Sequence, residues 1–171
     1  MGLRPASRLR TSDNDVMAAR RSAGVLLYRR VGNAVEVLIV HMGGPFWARK
    51  DDAAWSIPKG EYAADEEPLD VARREFAEEL GSPLPDGELI ELGEIKQPSG
   101  KVITAWALAA DFDAATAVSN TFAMEWPRGS GTMRDFPEID CAEWYDIDTA
   151  RTKLVRGQVG FLDRLMKALG N

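Results

Sequence analysis

A chain of 171 residues with 45% apolar and 28% charged side chains suits one domain with a full core and leaves little room for two. The net charge of −6 argues against a general nucleic-acid binder, which needs a basic face to displace counterions. It does not exclude an anionic small substrate, because a bound metal reverses the local field.

The single cysteine, Cys141, rules out an internal disulfide and points to a reducing, cytoplasmic compartment. As a small side chain near a strand it is expected to be buried. No apolar run approaches the length of a membrane span. Residues 1–19 are polar, with Arg4, Arg8 and Arg10, and lack the apolar core of a secretory signal. They are expected to form a flexible N-terminal extension, with a nucleic-acid arm as the sharper alternative. Residues 20–171 are expected to form a single domain.

Ser22 to Arg30, rich in Val25, Leu26, Leu27 and Tyr28, predicts a strand. Gly32-Asn33 is a turn signal, and Val35 to His41 predicts the returning strand of a hairpin. Residues 43–52 are a loop carrying Phe46, Trp47, Arg49 and Lys50, followed by a short strand from Trp55 to Ile57 that Pro58 stops. Glu67-Pro68 starts a helix, since proline is tolerated in a first turn, and Gly81 closes it. Glu88 to Lys96 and Lys101 to Asp111 predict a second hairpin, and residues 112–137 are less regular, with an exposed loop at 126–131. Cys141 to Ile147 reads as a strand, and 157–169 as a terminal helix with Phe161, Leu162, Leu165 and Leu169 at helical spacing. The sum is an α+β chain, a mixed sheet covered by helices on both faces.

The most informative stretch lies between Gly60 and Ser82. Offsets of three and four bring Glu75, Glu78 and Glu79 onto one stripe of the helix. Leu69, Ala72, Phe76 and Leu80 form a separate apolar stripe. Carboxylates packed this way repel one another, and a hard divalent cation with oxygen ligands removes the penalty. A solvated acidic face balanced by Arg73 and Arg74 is the plainer alternative.

Gly60-Glu61-Tyr62-Ala63-Ala64-Asp65-Glu66, followed by Arg74-Glu75-Phe76-Ala77-Glu78-Glu79-Leu80-Gly81, resembles the signature of the Nudix hydrolases. The one departure is Ser82, where the family usually has an aliphatic residue. The resemblance implies an α/β/α sandwich with a mixed sheet. It implies that Glu75, Glu78 and Glu79 hold magnesium, with manganese able to substitute, and that the Gly60 carbonyl joins them. Arg74 is then expected to orient a neighbouring glutamate through its guanidinium fork. Glu75 and Glu78 are candidate catalytic carboxylates. Some family members recruit a glutamate outside the signature; Glu138 is the first candidate here and Glu125 the second, each otherwise an ordinary surface acid.

The implied activity is hydrolysis of a nucleoside diphosphate linked to some group X, by charge neutralisation and positioning. The Pro58-Lys59-Gly60 entrance resembles enzymes acting on dinucleoside polyphosphates, such as diadenosine tetraphosphate. Lys59 then meets a phosphate, or is a solvated loop lysine. Phe46, Trp47 and Trp126 lie in expected loops where an aromatic stacks on a base, with one of them packing its loop against the sheet. Arg49, Lys50, Lys96, Lys101 and Arg128 are further candidate phosphate contacts. A house-cleaning nucleoside triphosphate or ADP-sugar hydrolase is the next reading, and a non-catalytic nucleotide-binding module the third. Family habit allows a homodimer. His41, the single histidine, is expected to be hydrogen-bonded and structural, or to lie beside a leaving phosphate.

Overall fold

The computed structural model of the chain describes residues 20–171. The expected extension over 1–19 lies outside the described residues. Nine strands and three helices follow in chain order among those described. They are β1 (Arg21–Val31), β2 (Ala34–Met42), β3 (Trp55–Ser56), β4 (Lys59–Tyr62), α1 (Pro68–Leu80), β5 (Leu89–Lys96), β6 (Val102–Ala109), β7 (Thr121–Glu125), β8 (Met133–Pro137), β9 (Ile139–Asp146), α2 (Ile147–Lys153) and α3 (Gly160–Ala168).

The main sheet runs β3-β2-β1-β6-β5, with β4 also on β1 and β9 also on β2. It is mixed, because β1 and β6 are parallel and the other pairs antiparallel. Strand β1 is covered on both faces, so its buried run from Ser22 to Tyr28 is nearly continuous instead of alternating. On one face Ala23, Val25 and Leu27 meet Val71, Ala72, Phe76 and Leu80 of α1. On the other, Leu26 and Tyr28 pack with Ala150, Leu154, Phe161, Leu162 and Leu165. The result is the expected helix–sheet–helix sandwich.

Helix α1 begins where proline permits, with Glu67 as cap and Pro68 in the first turn. It ends at Gly81, whose φ of 74° is left-handed and whose N–H donates to the Ala77 carbonyl at 2.8 Å. Val71, more than Leu69, completes the apolar stripe.

The structure adds four elements to the sequence reading. Beyond Pro58 the polar segment Lys59–Tyr62 pairs with Arg21–Gly24 as β4. Within the less regular stretch, β7 and β8 form a two-stranded hairpin outside the main sheet, with residues 126–131 at its exposed tip. Helix α2 is capped by Asp146, which accepts from the Thr149 N–H at 2.7 Å. Cys141 is in a strand as expected but exposed, because it falls on the solvent side of β9 while Ala142 faces the core. No helix among the described residues is long and apolar enough to cross a membrane.

Candidate active site

Strand β4 and helix α1 make the centre of the site. Gly60 lies so close to the Glu75 carboxylate that a β-carbon there would overlap it, so the glycine is needed for room. The Lys59 N–H donates to Glu79 Oε2 at 3.2 Å, which ties the loop to the second half of the helix. Glu66 closes the turn between them: it accepts from the Ala63 N–H at 3.1 Å and from Arg74 Nη1 at 2.8 Å. These bonds hold its carboxyl below the usual range, the Ala63 N–H contributing most. The Arg74 guanidinium also stands 3.9 Å from Glu75 and 4.0 Å from Glu78. Arg74 therefore sits among three signature glutamates.

Glu138 joins this group from the far side of the β7–β8 hairpin. Asn120, just before β7, donates its N–H to the Glu78 carbonyl at 3.1 Å and accepts from the Glu138 N–H at 2.9 Å. Gly43 donates to the Glu138 carbonyl at 2.9 Å. Asn120 was not among the sequence candidates, since its role arises from a tertiary pairing that leaves no local pattern. Glu125, the other candidate outside the signature, lies at the end of β7 next to the hairpin turn, where it accepts from the Gly131 N–H at 3.4 Å.

The electrostatics mark the cluster. Glu79 is only 9% exposed, and burial, with Glu75 and Glu138 adding repulsion, pushes its carboxyl up to about 8 against the attraction of Lys59. Glu75 is raised by burial and by Glu78, and Glu138 by burial and by Glu78. Lys59 is half-buried and its ammonium lowered, by desolvation first and then by Lys101. Glu79 and Lys59 thus face each other as an acid and a base, each drawn toward neutrality.

This donor set is all oxygen and short of positive charge, which suits a hard divalent cation. Glu75, Glu78, Glu79, Glu138 and the Gly60 carbonyl could hold one. Among the described residues no three acidic, histidine or cysteine side chains already close a cage around one point, so these carboxylates would have to turn inward to share an ion.

The candidates on the loop after β2 do not share one environment. Phe46 is exposed and Trp47 packs against the core on the face opposite α1, with Lys50 Nζ 5.1 Å above its ring. Arg49 is exposed at the loop surface. His41 is buried between Asp140, 2.8 Å from Nδ1, and the Lys50 carbonyl, 2.6 Å from Nε2, and so fastens the loop to β9.

A NUDIX-domain family model matches residues 18–165. The chain belongs to the Nudix hydrolase family. As a member it is a pyrophosphohydrolase by class.

Solved Nudix structures share the fold at low identity. An Ap4A hydrolase of C. elegans, in a binary complex, is 17% identical with a TM-score of 0.59, over 87% of this chain and 98% of that one. The NUDIX domain of Shewanella oneidensis NrtR, complexed with ADP ribose, is 15% identical with a TM-score of 0.61, over 98% and 99%. A mutT/nudix protein from Listeria innocua is 14% identical with a TM-score of 0.57, over 88% and 94%. No curated protein matches the chain by sequence.

Proposed function

We propose that this Nudix hydrolase cleaves a phosphoanhydride in a nucleoside diphosphate linked to X, and that the best substrate is a dinucleoside polyphosphate such as diadenosine tetraphosphate. The observation that carries the reading is the gathering of acids where β4 meets α1: Glu79 bonded to the Lys59 N–H, Glu75 against Gly60, and Glu78 and Glu138 beside them. Magnesium, or manganese in its place, bound by Glu75, Glu78, Glu79 and the Gly60 carbonyl would neutralise the anhydride oxygens and acidify a water.

The chain's own residues do the rest. Lys59 meets a phosphate oxygen from the entrance of the site, a role suited to an ammonium already drawn out of water. Arg74 fixes Glu66, and with it the turn between β4 and α1, so that Gly60 and Glu75 keep their contact. Glu138 takes a proton from the attacking water, its backbone held beside the site by bonds to Asn120 and Gly43. Phe46 and Arg49 lie on the loop that flanks the opening, available to a nucleoside and its phosphates.

Support for the dinucleoside substrate comes from the Pro58-Lys59-Gly60 entrance and the fold shared with an Ap4A hydrolase. The fold shared with an ADP-ribose complex favours a second reading, an ADP-sugar or nucleoside triphosphate. Incubation with magnesium and a panel of dinucleoside polyphosphates, nucleoside triphosphates and nucleotide sugars, with products separated by chromatography, distinguishes them. Preferential cleavage of dinucleoside polyphosphates is the expected result. Preference for nucleotide sugars or triphosphates would establish the second reading.

A further inference from the structure

Strand β1 begins and β2 ends at the same edge of the sheet, where Arg21 pairs with Tyr62 and Met42 with Ile139. The 43–50 loop and the β7–β8 hairpin both project from that edge, beside the carboxylates. They run together: Gly43 is bonded to Glu138, the Phe122 ring lies over Gly44, and further out Phe46 meets Trp126 edge-on with centroids 6.1 Å apart. One hairpin face gathers Phe122, Met124, Trp126 and Phe136 at alternating positions. The inner part of that face is covered by the loop and by its own Phe122–Phe136 pair.

The tip is different. Phe46 remains 48% exposed and Trp126 is only partly covered. Arg128 lies 5.1 Å above the Phe46 ring, and among the described residues it has no carboxylate partner. Two aromatic rings and an uncompensated guanidinium in one exposed place suit a ligand that is itself aromatic and anionic. From Asn120, which is bonded to α1, to Trp126 the extended chain covers about 20 Å at the usual strand rise. The tip therefore stands outward of the carboxylates, where a second nucleoside carried on further phosphates would extend.

We propose that Phe46, Trp126 and Arg128 form a distal nucleoside site that selects substrates with a second base at the far end of the polyphosphate. The proposal rests on the reading of the carboxylate cluster as the place of anhydride cleavage. Within it, the arm acts as a gauge of substrate length: a base stacks on Phe46 or Trp126 while Arg128 attends the adjoining phosphate or the ring face.

The test compares diadenosine tetraphosphate with adenosine 5′-tetraphosphate, which has the same number of phosphates and lacks the second nucleoside. The wild type is expected to favour the dinucleoside in kcat/KM. Phe46→Ala and Trp126→Ala are each expected to cut that preference by about tenfold, the usual scale of one base–aromatic stack. Arg128→Ala, an exposed change with no bearing on folding, is expected to cut it as well. A preference equal to wild type in all three variants would overturn the proposal. If the wild type cleaves neither compound, the proposed function fails, and calorimetric binding of the same two compounds without magnesium decides the arm separately. Tighter dinucleoside binding that is lost in the variants then sustains the distal site, and equal affinities overturn it.

Discussion

At the scale of single residues, Glu79 sets the signature helix apart from a solvated acidic face. A helix gains nothing from burying an unpaired carboxyl, yet Glu79 is among the buried residues of α1, with Lys59 as its nearest compensation. Its neighbours Glu75 and Glu138 make the burial harder. The arrangement is explained when the acids serve a ligand that brings positive charge. Cys141 shows the opposite case, an exposed group with no chemistry to do. Although the residue is exposed, its sulfur is partly desolvated, and with Asp140 beside it the thiol is pushed up to about 11, so almost none is thiolate at neutral pH. Because the charged form is the nucleophile, reactivity must rise with pH up to that value. Reaction with an aromatic disulfide reagent at pH 8 is expected to run roughly twentyfold slower than with free cysteine, after allowing for the greater nucleophilicity of a more basic thiolate. A rate within about twofold of free cysteine would show that the thiol is unperturbed.

At the scale of elements, the end of α1 is where fold and site depend on each other. Gly81 holds the left-handed cap, and the next contacts are Val118 N–H to the Leu80 carbonyl at 3.2 Å and Asn120 N–H to the Glu78 carbonyl. The chain that delivers Glu138 is thus hung from the last turn of the helix that carries Glu75, Glu78 and Glu79. Gly81→Ala forces an L-residue into that conformation and brings its β-carbon within 2.6 Å of the Val118 carbonyl. A loss of about 1–2 kcal/mol in urea denaturation is expected, together with lower activity as Glu138 shifts. A change under about 0.3 kcal/mol would mean that the cap adapts freely.

The same helix was legible in the sequence because its stop signals are local: proline at the start, glycine at the end, and an apolar stripe between. Glu138 was legible only as a candidate, since nothing near it in the chain tells it from Glu125; the structure brings Glu138 near Glu78 and leaves Glu125 beside the hairpin turn. Strand β4 escaped because Lys59–Tyr62 is polar and short, and its pairing with β1 depends on a partner more than thirty residues earlier. Strands β7 and β8 escaped because each is only five residues long and lies outside the main sheet. Strand β7 does alternate, with Phe122, Met124 and then Trp126 on one side, but over too short a run to stand out in an irregular stretch. Helix α2 offered seven residues and one buried side chain, Ala150, too little for a helical period to emerge.

At the scale of the molecule, the sandwich supplies a rigid edge from which three separate pieces of chain converge. Strand β4 brings Lys59 and Gly60, α1 brings the three signature glutamates, and the segment after β8 brings Glu138. Both faces of the sheet are buried, by α1 on one side and by α2 and α3 on the other, so the open end of the sheet is left to the ligand. The 43–50 loop, fastened through His41, and the β7–β8 hairpin extend that end outward and give the site its reach.

The central claim is that the converging carboxylates carry a metal-dependent hydrolysis. The direct measurement is turnover of the panel's best substrate with magnesium by wild type, Glu78→Gln and Glu79→Gln. Each substitution keeps the size of the side chain and removes its charge. A fall in kcat of roughly a hundredfold or more is expected in each, with the fold retained. Unchanged turnover in both variants would contradict the assignment of the site.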